Sequence, residues 1–139
     1  MTLGRQMMNV GLAASALVWA VTVAAMGAQA PARTVNDGVY SSGQATRGEA
    51  LFQSICTTCH DTARFTGAEF VSAWSGKPLS ELFKAVQTMP EDNPGSLKPQ
   101  QYADVVAYFL KLNGYPAGKT ELSGPDVIKG IKFEKKTGK

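Results

Sequence analysis

Two cysteines and a histidine lie within five consecutive residues, Cys56-Thr57-Thr58-Cys59-His60. At this spacing, two thiols can bond to the vinyl groups of a haem while the imidazole that follows ligates the iron. The chain contains no other cysteine and no other histidine. The motif therefore predicts covalent attachment of one haem c, with Cys56 and Cys59 as the tethers and His60 as the proximal iron ligand.

Three other interpretations of the same residues are weaker. A thioredoxin-like dithiol needs a strand–helix–strand context, whereas the flanks of this motif are predicted to be helical, and a dithiol leaves His60 unexplained. A structural zinc site requires four ligands, and the chain supplies only three cysteines and histidines together. A structural disulfide between Cys56 and Cys59 remains an alternative, yet it would close a very small loop and remove little entropy from the unfolded chain.

The amino terminus has the features of a targeting segment. Arg5 is followed by an apolar, alanine-rich stretch over residues 10–27, and Ala-Gln-Ala at 28–30 has the small-x-small form of a cleavage site. These features predict a signal peptide over residues 1–30 and a mature chain that begins near residue 31. Because the apolar stretch exceeds the usual secretory core and approaches the ~20 residues that span a bilayer, an uncleaved membrane anchor is the alternative. In both cases the haem motif is exported.

Local signals predict the first two helices. Turn-forming residues over 31–45 indicate an extended lead-in. Thr46 with Glu49 has the form of a capping box and predicts a helix that runs into the haem motif. Thr66 with Glu69 is a second capping box, which predicts a short helix after the motif.

Two more helices follow. Ser80 is predicted to cap a third helix over residues 81–88, which the Met89-Pro90 pair ends. Pro99 is suited to the first turn of a fourth helix, which has the clearest periodicity in the sequence. Its apolar positions keep the helical spacing at Tyr102, Val105, Val106, Phe109 and Leu110.

Residues 46–116 are therefore predicted to form a small all-helical domain. A core of about 70 residues rarely stabilises itself, and a covalently held haem would supply the missing cross-link. Residues 117–139 form a basic C-terminal tail with six lysines against three acidic residues, a balance too mixed to indicate nucleic-acid binding. This tail is expected either to lie against the domain as an ordered arm or to be loose, because it carries a few apolar residues: Val127, Ile128, Ile131 and Phe133.

The methionines point to one candidate for the other side of the iron. Four of the five precede residue 27, in the predicted signal peptide, so Met89 is the single thioether of the predicted mature chain. We expect Met89 to be the distal iron ligand, although a methionine at such a junction can also simply fill the core. Ligation by histidine and methionine raises the reduction potential and favours electron transfer over substrate binding at iron.

Further segments extend the pattern beyond the motif. They are Asp37-Gly38-Val39-Tyr40, Gln44-Ala45, Arg47-Gly48, Trp74, Met89-Pro90-Glu91-Asp92-Asn93-Pro94-Gly95-Ser96-Leu97, Tyr102-Ala103-Asp104-Val105-Val106-Ala107-Tyr108 and Asn113-Gly114-Tyr115-Pro116-Ala117-Gly118. With the haem motif, these segments resemble a class I cytochrome c. Residues 35–118 are similar to the small monohaem domains that accompany bacterial periplasmic dehydrogenases of the quinoprotein type.

The resemblance implies an all-α cytochrome c fold, in which three to four short helices wrap around the covalently bound haem. It implies that the first and last helices cross, which would place Gly48 and Phe52 against Tyr108. A glycine inside a helix is itself unfavourable, so a close approach would account for Gly48. The resemblance also assigns Trp74 to the neighbourhood of a haem propionate.

The environment of His60 departs from the family pattern. Asp61 follows it where the family commonly has glycine, and no proline occurs within the next ten positions. That proline usually supplies a carbonyl to the second ring nitrogen, so a different acceptor is expected for His60.

The resemblance implies a one-electron carrier in the periplasm rather than an enzyme. Its donor would be a dehydrogenase and its acceptor a terminal oxidase or another cytochrome, with no nucleic-acid partner and membrane association only if the N-terminal segment stays uncleaved. If Met89 does not ligate the iron, the alternative is a five-coordinate haem c protein that binds a small ligand or peroxide. With no second histidine and no further cysteine, an independent enzymatic site is not expected.

Overall fold

A computed structural model of the protein describes residues 32–138, and this part of the chain is mostly helical. Two short strands lie near its ends, β1 at Arg33–Thr34 and β2 at Ile131–Lys132. The prediction of an all-α domain is confirmed. The helices are α1 at Ser42–Leu51, α2 at Gly67–Trp74, α3 at Leu79–Gln87, α4 at Pro99–Leu112 and α5 at Gly124–Lys129.

Helix α1 begins earlier than the sequence predicted. The Ser41 hydroxyl caps it by accepting a hydrogen bond from the Gln44 amide at 3.0 Å. Thr46 lies inside the helix, where its hydroxyl donates to the carbonyl oxygen of Ser42 at 3.1 Å. The capping box at Thr46 was therefore wrong, and residues 42–45 are helical rather than part of an extended lead-in. Burial of Gln44 and Ala45 favours the earlier start.

The haem motif continues directly from α1, as predicted. A π-helical turn at Phe52–Cys56 extends the helix, and the amide of Thr57 donates to the carbonyl of Phe52 at 3.1 Å. The amide of His60 then donates to the carbonyl of Cys56 at 2.9 Å, which closes the motif into a tight turn. The backbone thus fixes His60 one turn beyond the first cysteine.

Helices α1 and α4 cross at Gly48, which confirms the close approach expected there. A Cβ atom on Gly48 would overlap the carbonyl oxygen of Asp104 and would lie 3.0 Å from the Cβ atom of Tyr108. Phe52, one turn later, packs with its ring centroid 5.5 Å from that of Tyr108 and 5.6 Å from that of Phe109. Only glycine permits this approach of the two backbones.

Helix α2 begins where predicted, although without a capping box. The Thr66 hydroxyl donates backwards to the carbonyl of Ala63, and the Gly67 amide instead donates to the side-chain oxygen of Asn113 at 3.0 Å. Helix α3 begins two residues before the predicted start, so Ser80 lies inside it rather than at its cap. The fully buried Leu79 belongs to this first turn, so core packing favours the earlier start.

The segment after residue 118 is ordered and packed. We call residues 119–138 the C-terminal arm. Its strand β2 pairs in parallel with β1, in the register Arg33 with Ile131 and Thr34 with Lys132. Of the two alternatives for the basic tail, the ordered arm is the one observed, because four of its apolar side chains are almost completely buried: Leu122, Ile128, Ile131 and Phe133.

Polar contacts fasten the start of the arm to α1 and α4. The side chain of Gln44 is fully buried. Its amide nitrogen donates to the backbone carbonyl of Leu122 at 2.9 Å, and its amide oxygen accepts from the backbone N–H of Leu122 at 2.8 Å. The guanidinium of Arg47 donates to Asp104 at 3.0 Å and to Glu121 at 2.8 Å. The arm is therefore joined to the domain by specific hydrogen bonds as well as by apolar contacts.

Within residues 32–138, no helix is long and apolar enough to cross a membrane. The predicted signal peptide or anchor over residues 1–30 lies outside the described residues.

The crossing at Gly48 is tested by Gly48→Ala. We expect a loss of about 3 kcal/mol or more in the free energy of unfolding, because the added methyl group meets backbone that cannot move aside. Gly43→Ala on the same helix is the control, since its Cβ would have Ser41 Oγ as nearest neighbour, at 3.9 Å. That variant should gain about 0.5–1 kcal/mol from helix propensity. Denaturant unfolding, followed by circular dichroism, measures the free energy of unfolding of both variants. Equal values for Gly48→Ala and Gly43→Ala would contradict the crossing.

The contact at Glu121 predicts a pH dependence. Hydrogen bonds from Arg47 and then from the Ser41 hydroxyl lower the pKa of the Glu121 carboxyl below its usual value. Because the pKa is lower in the folded state, the ionised carboxylate stabilises the fold at any pH above its unfolded-state pKa of about 4.3. This stabilisation is lost as the pH falls through the folded-state pKa. Because this carboxylate is exposed, the effect is small. The melting temperature of Glu121→Gln should therefore be slightly lower than that of wild type at pH 7, and the difference should shrink towards pH 3.

A control variant, Glu134→Gln, removes a carboxylate of the same arm whose contact with Lys132 is longer, at 3.5 Å. If both variants gave the same pH profile, the specific role of the Glu121 contact would be rejected.

Candidate haem site

A cavity of about 760 Å³ opens beside the haem motif and adjoins a second one of about 390 Å³. Cys56, Cys59, His60 and Met89 all line the larger part. Trp74 lines the smaller part together with Cys56, His60 and Met89. The structure therefore brings the residues predicted from the sequence to two neighbouring cavities that share lining side chains. The side chains that line both parts are Cys56, His60, Val86, Met89 and Val105.

The two cysteines are free thiols. Cys56 is partly buried, and this burial raises the pKa of its thiol, whereas Cys59 is exposed. The structural disulfide that the sequence left open is thus not formed. Residues 32–138 also contain no group of three or more histidine, cysteine and acidic side chains placed to hold a metal ion. Both thiols therefore remain available for covalent bonds to a cofactor.

The ring of His60 has two different nitrogens. Its Nδ1 atom is buried and has no hydrogen-bond partner among the described residues, so the acceptor expected for this ring is not found there. His60 lines the cavity, and we expect its other nitrogen, Nε2, to be the one available to a cofactor. Phe65 holds the imidazole in an edge-on contact, with ring centroids 5.5 Å apart. Asp61 takes no part in this contact, because its carboxylate caps the following turn at the Ala63 amide.

Met89 reaches the cavity from the loop after α3. Its carbonyl oxygen accepts a hydrogen bond from the Tyr102 hydroxyl at 2.8 Å, and the same hydroxyl accepts one from the Leu97 amide at 3.2 Å. Tyr102 is buried on α4 and so fixes both ends of this loop. In the sequence, Tyr102 belongs to the apolar stripe of the helix and to a segment that resembles class I cytochromes c. No local signal revealed its contact with Met89.

Aromatic rings form the wall of the smaller part of the cavity. Phe65 stacks on Phe109 with centroids 4.5 Å apart, and Phe70 packs against Trp74 at 6.4 Å. The Lys77 ammonium lies over the indole ring, 5.1 Å from its centroid. Phe65 was not predicted from the sequence, because it lies in a short turn without helical periodicity. These rings give this part of the site an apolar wall, and the charged residues Arg64 and Glu69 also line it.

The lining fits a covalently bound haem. Two free thiols and an imidazole come from one turn of the chain, and a thioether comes from a distant segment. An imidazole nitrogen and a thioether sulfur are a ligand pair that haem iron accepts. The remaining lining is largely apolar, and the volumes fall in the range of about 300–1,000 Å³ that is typical of cofactor sites.

Comparison with known families agrees with this geometry. Residues 43–109 match the family described as cytochrome C oxidase, cbb3-type, subunit III. The comparisons with curated proteins and with solved structures gave no significant match. Together, the match and the helical architecture show a domain with the cytochrome c fold, in which haem c is covalently bound. Because the chain has one Cys-x-x-Cys-His motif, this domain is of the monohaem type.

Separate roles for the two thiols are tested by Cys59→Ser. We expect the protein to keep haem through Cys56 alone, because each thiol forms its own thioether bond. The pyridine haemochrome spectrum should then shift to the position of a haem with one remaining vinyl group. Thr58→Ser, between the two cysteines, is the control and should retain the spectrum with two thioether bonds. A spectrum of Cys59→Ser identical to wild type would contradict the assignment.

Proposed function

We propose that this protein is a one-electron carrier whose haem iron is ligated by His60 and Met89. The observation that carries the proposal is that Cys56, Cys59, His60 and Met89 line one cavity, although Met89 comes from a different segment of the chain. Bound haem c supplies an iron that cycles between Fe(III) and Fe(II). The side chains around it determine whether that iron carries electrons or binds substrate.

Each predicted site residue has a separate task. The thiols of Cys56 and Cys59 would hold the haem, each by adding across one vinyl double bond so that sulfur bonds to one vinyl carbon and the thiol hydrogen goes to the other. His60 would hold the iron through Nε2, and Met89 would hold it through its sulfur. With both side chains bound, the iron would have no open coordination position for a substrate. The thioether ligand also raises the reduction potential.

The aromatic wall that contains Trp74 has two proposed roles. The rings of this wall exclude water from the cofactor, which favours the less charged, reduced state of the iron. The indole N–H gives Trp74 a polar group that can bond to a haem propionate, while the ring stays in the apolar wall. The Lys77 ammonium above the indole adds a positive charge at the same place.

Partners and location are also part of the proposal. Residues 1–30 would direct export, which places the haem in the periplasm, either free or anchored. The matching family is named for a subunit of a cytochrome c oxidase, which supports an electron path towards a terminal oxidase. The resemblance in residues 35–118 favours a periplasmic dehydrogenase of the quinoprotein type as the donor. Such redox partners form small and short-lived interfaces.

Ligation by Met89 is tested with Met89→Leu, which keeps the side-chain volume and removes the sulfur. We expect the midpoint potential to fall by on the order of 100 mV, a fraction of the ~0.8 V over which axial ligands set haem potentials. The reduced variant should also bind carbon monoxide rapidly, because one axial position is then open. Potentiometric titration and optical spectroscopy measure the two effects.

Val86→Ile is the control for Met89→Leu, because Val86 lines both parts of the cavity and carries no ligand atom. This variant should keep the midpoint potential of wild type and resist carbon monoxide. If wild type bound carbon monoxide as fast as Met89→Leu, the iron would be five-coordinate. The function would then be ligand or peroxide binding rather than electron transfer.

A further inference from the structure

The C-terminal arm holds the loop between α2 and α3. The Phe133 amide donates to the carbonyl of Lys77 at 2.8 Å, and the Gly76 amide donates to the carbonyl of Phe133 at 2.8 Å. An isolated β-bridge between Pro78 and Lys132 continues this pairing. The loop over residues 75–78 is therefore hydrogen-bonded to the arm on both sides of Lys77.

The same part of the arm packs behind the wall of the cavity. The Phe133 side chain is fully buried, and its ring lies edge-on to Phe70 at 6.3 Å and to Tyr115 at 5.4 Å. Phe70 and Trp74 both line the smaller part of the cavity. Trp74 immediately precedes the loop that Phe133 holds. Phe133 thus contacts the cavity wall through its ring and the loop through its backbone, without lining the cavity itself.

We propose that Phe133 is a positioning residue that keeps the Phe70–Trp74 wall closed over the haem and thereby raises its midpoint potential. This inference rests on the proposed electron-carrier function. Oxidised haem iron carries one more positive charge than reduced iron, so water near the haem stabilises the oxidised state. A wall that excludes water therefore favours reduction, because the apolar shell of a metal site controls its dielectric surroundings. The arm acts on the potential through this wall.

The arm lies outside the segment that matches the cytochrome family, which ends at residue 109. Its two ends also have different contacts. Leu122 is fully buried near the start of the arm and is hydrogen-bonded to Gln44 of α1 rather than to the loop. A substitution at Leu122 therefore disturbs the packing of the arm without removing the contacts that Phe133 makes with Phe70.

The test compares Phe133→Ala with Leu122→Ala, both in the haem-loaded full chain. Phe133→Ala should lower the midpoint potential and accelerate hydrogen exchange of the Gly76 amide about fivefold, the change that corresponds to losing a hydrogen bond of about 1 kcal/mol. Leu122→Ala should lower the melting temperature while it keeps the midpoint potential of wild type. Potentiometric titration and exchange measured by nuclear magnetic resonance give the two readouts.

Several results would overturn the inference. An unchanged midpoint potential in Phe133→Ala would do so, as would an equal fall in Leu122→Ala, which would indicate general loss of structure. Unchanged exchange at Gly76 would show that Phe133 does not hold the loop. If Phe133→Ala does not fold, Phe133→Leu replaces it, with a smaller fall in potential expected and no fall contradicting the proposal. A failure of Met89 ligation is recognised separately, because Met89→Leu then keeps the wild-type potential whatever Phe133 does.

Discussion

The close contact of α1 with α4 at Gly48 is the constraint on which the rest of the structure depends. Because residue 48 has no side chain, the backbone of α1 lies directly against the carbonyl of Asp104. Phe52 then packs on the rings of α4, and the haem motif follows at the edge of the cavity. Tyr102 on the same helix holds the loop of Met89 through its hydroxyl. Helix α4 therefore supports both chain segments that reach the cavity.

Two further elements complete a core that the helices alone would leave small. One is the covalent cofactor, which the Cys-x-x-Cys-His motif attaches at the centre. The other is the C-terminal arm, which buries apolar side chains that each contribute about 1.5–3 kcal/mol of hydrophobic free energy. The sequence left open whether the basic tail is ordered or loose; in the structure the lysines of the arm are exposed, whereas Ile128, Ile131 and Phe133 are buried. The arm is thus part of the domain, and through Phe133 it reaches the wall of the haem site.

Local chemistry explains which features the sequence revealed. The spacing of Cys56 and His60 and the 3.6-residue periodicity of α4 are both contained in short stretches, so the motif and this helix were predicted. The predicted start of α1 was wrong because Ser41 and Thr46 can both cap a helix. Burial of the residues between them favours Ser41 as the cap. The pairing of β1 with β2 joins opposite ends of the described chain. No local pattern encodes such a register, and the contact of Tyr102 with Met89 was missed for the same reason.

The central claim is that the iron is held from both faces, with the Met89 sulfur opposite His60. The most direct measurement is the proton resonance of the methionine methyl groups in the reduced protein, with methionine labelled at the methyl carbon. A methyl group bound above the haem plane experiences the ring current and is displaced strongly upfield. We predict one such resonance, from Met89. If every methionine methyl group instead resonated at its ordinary position, the sulfur would not be bound to the iron and the account would be contradicted.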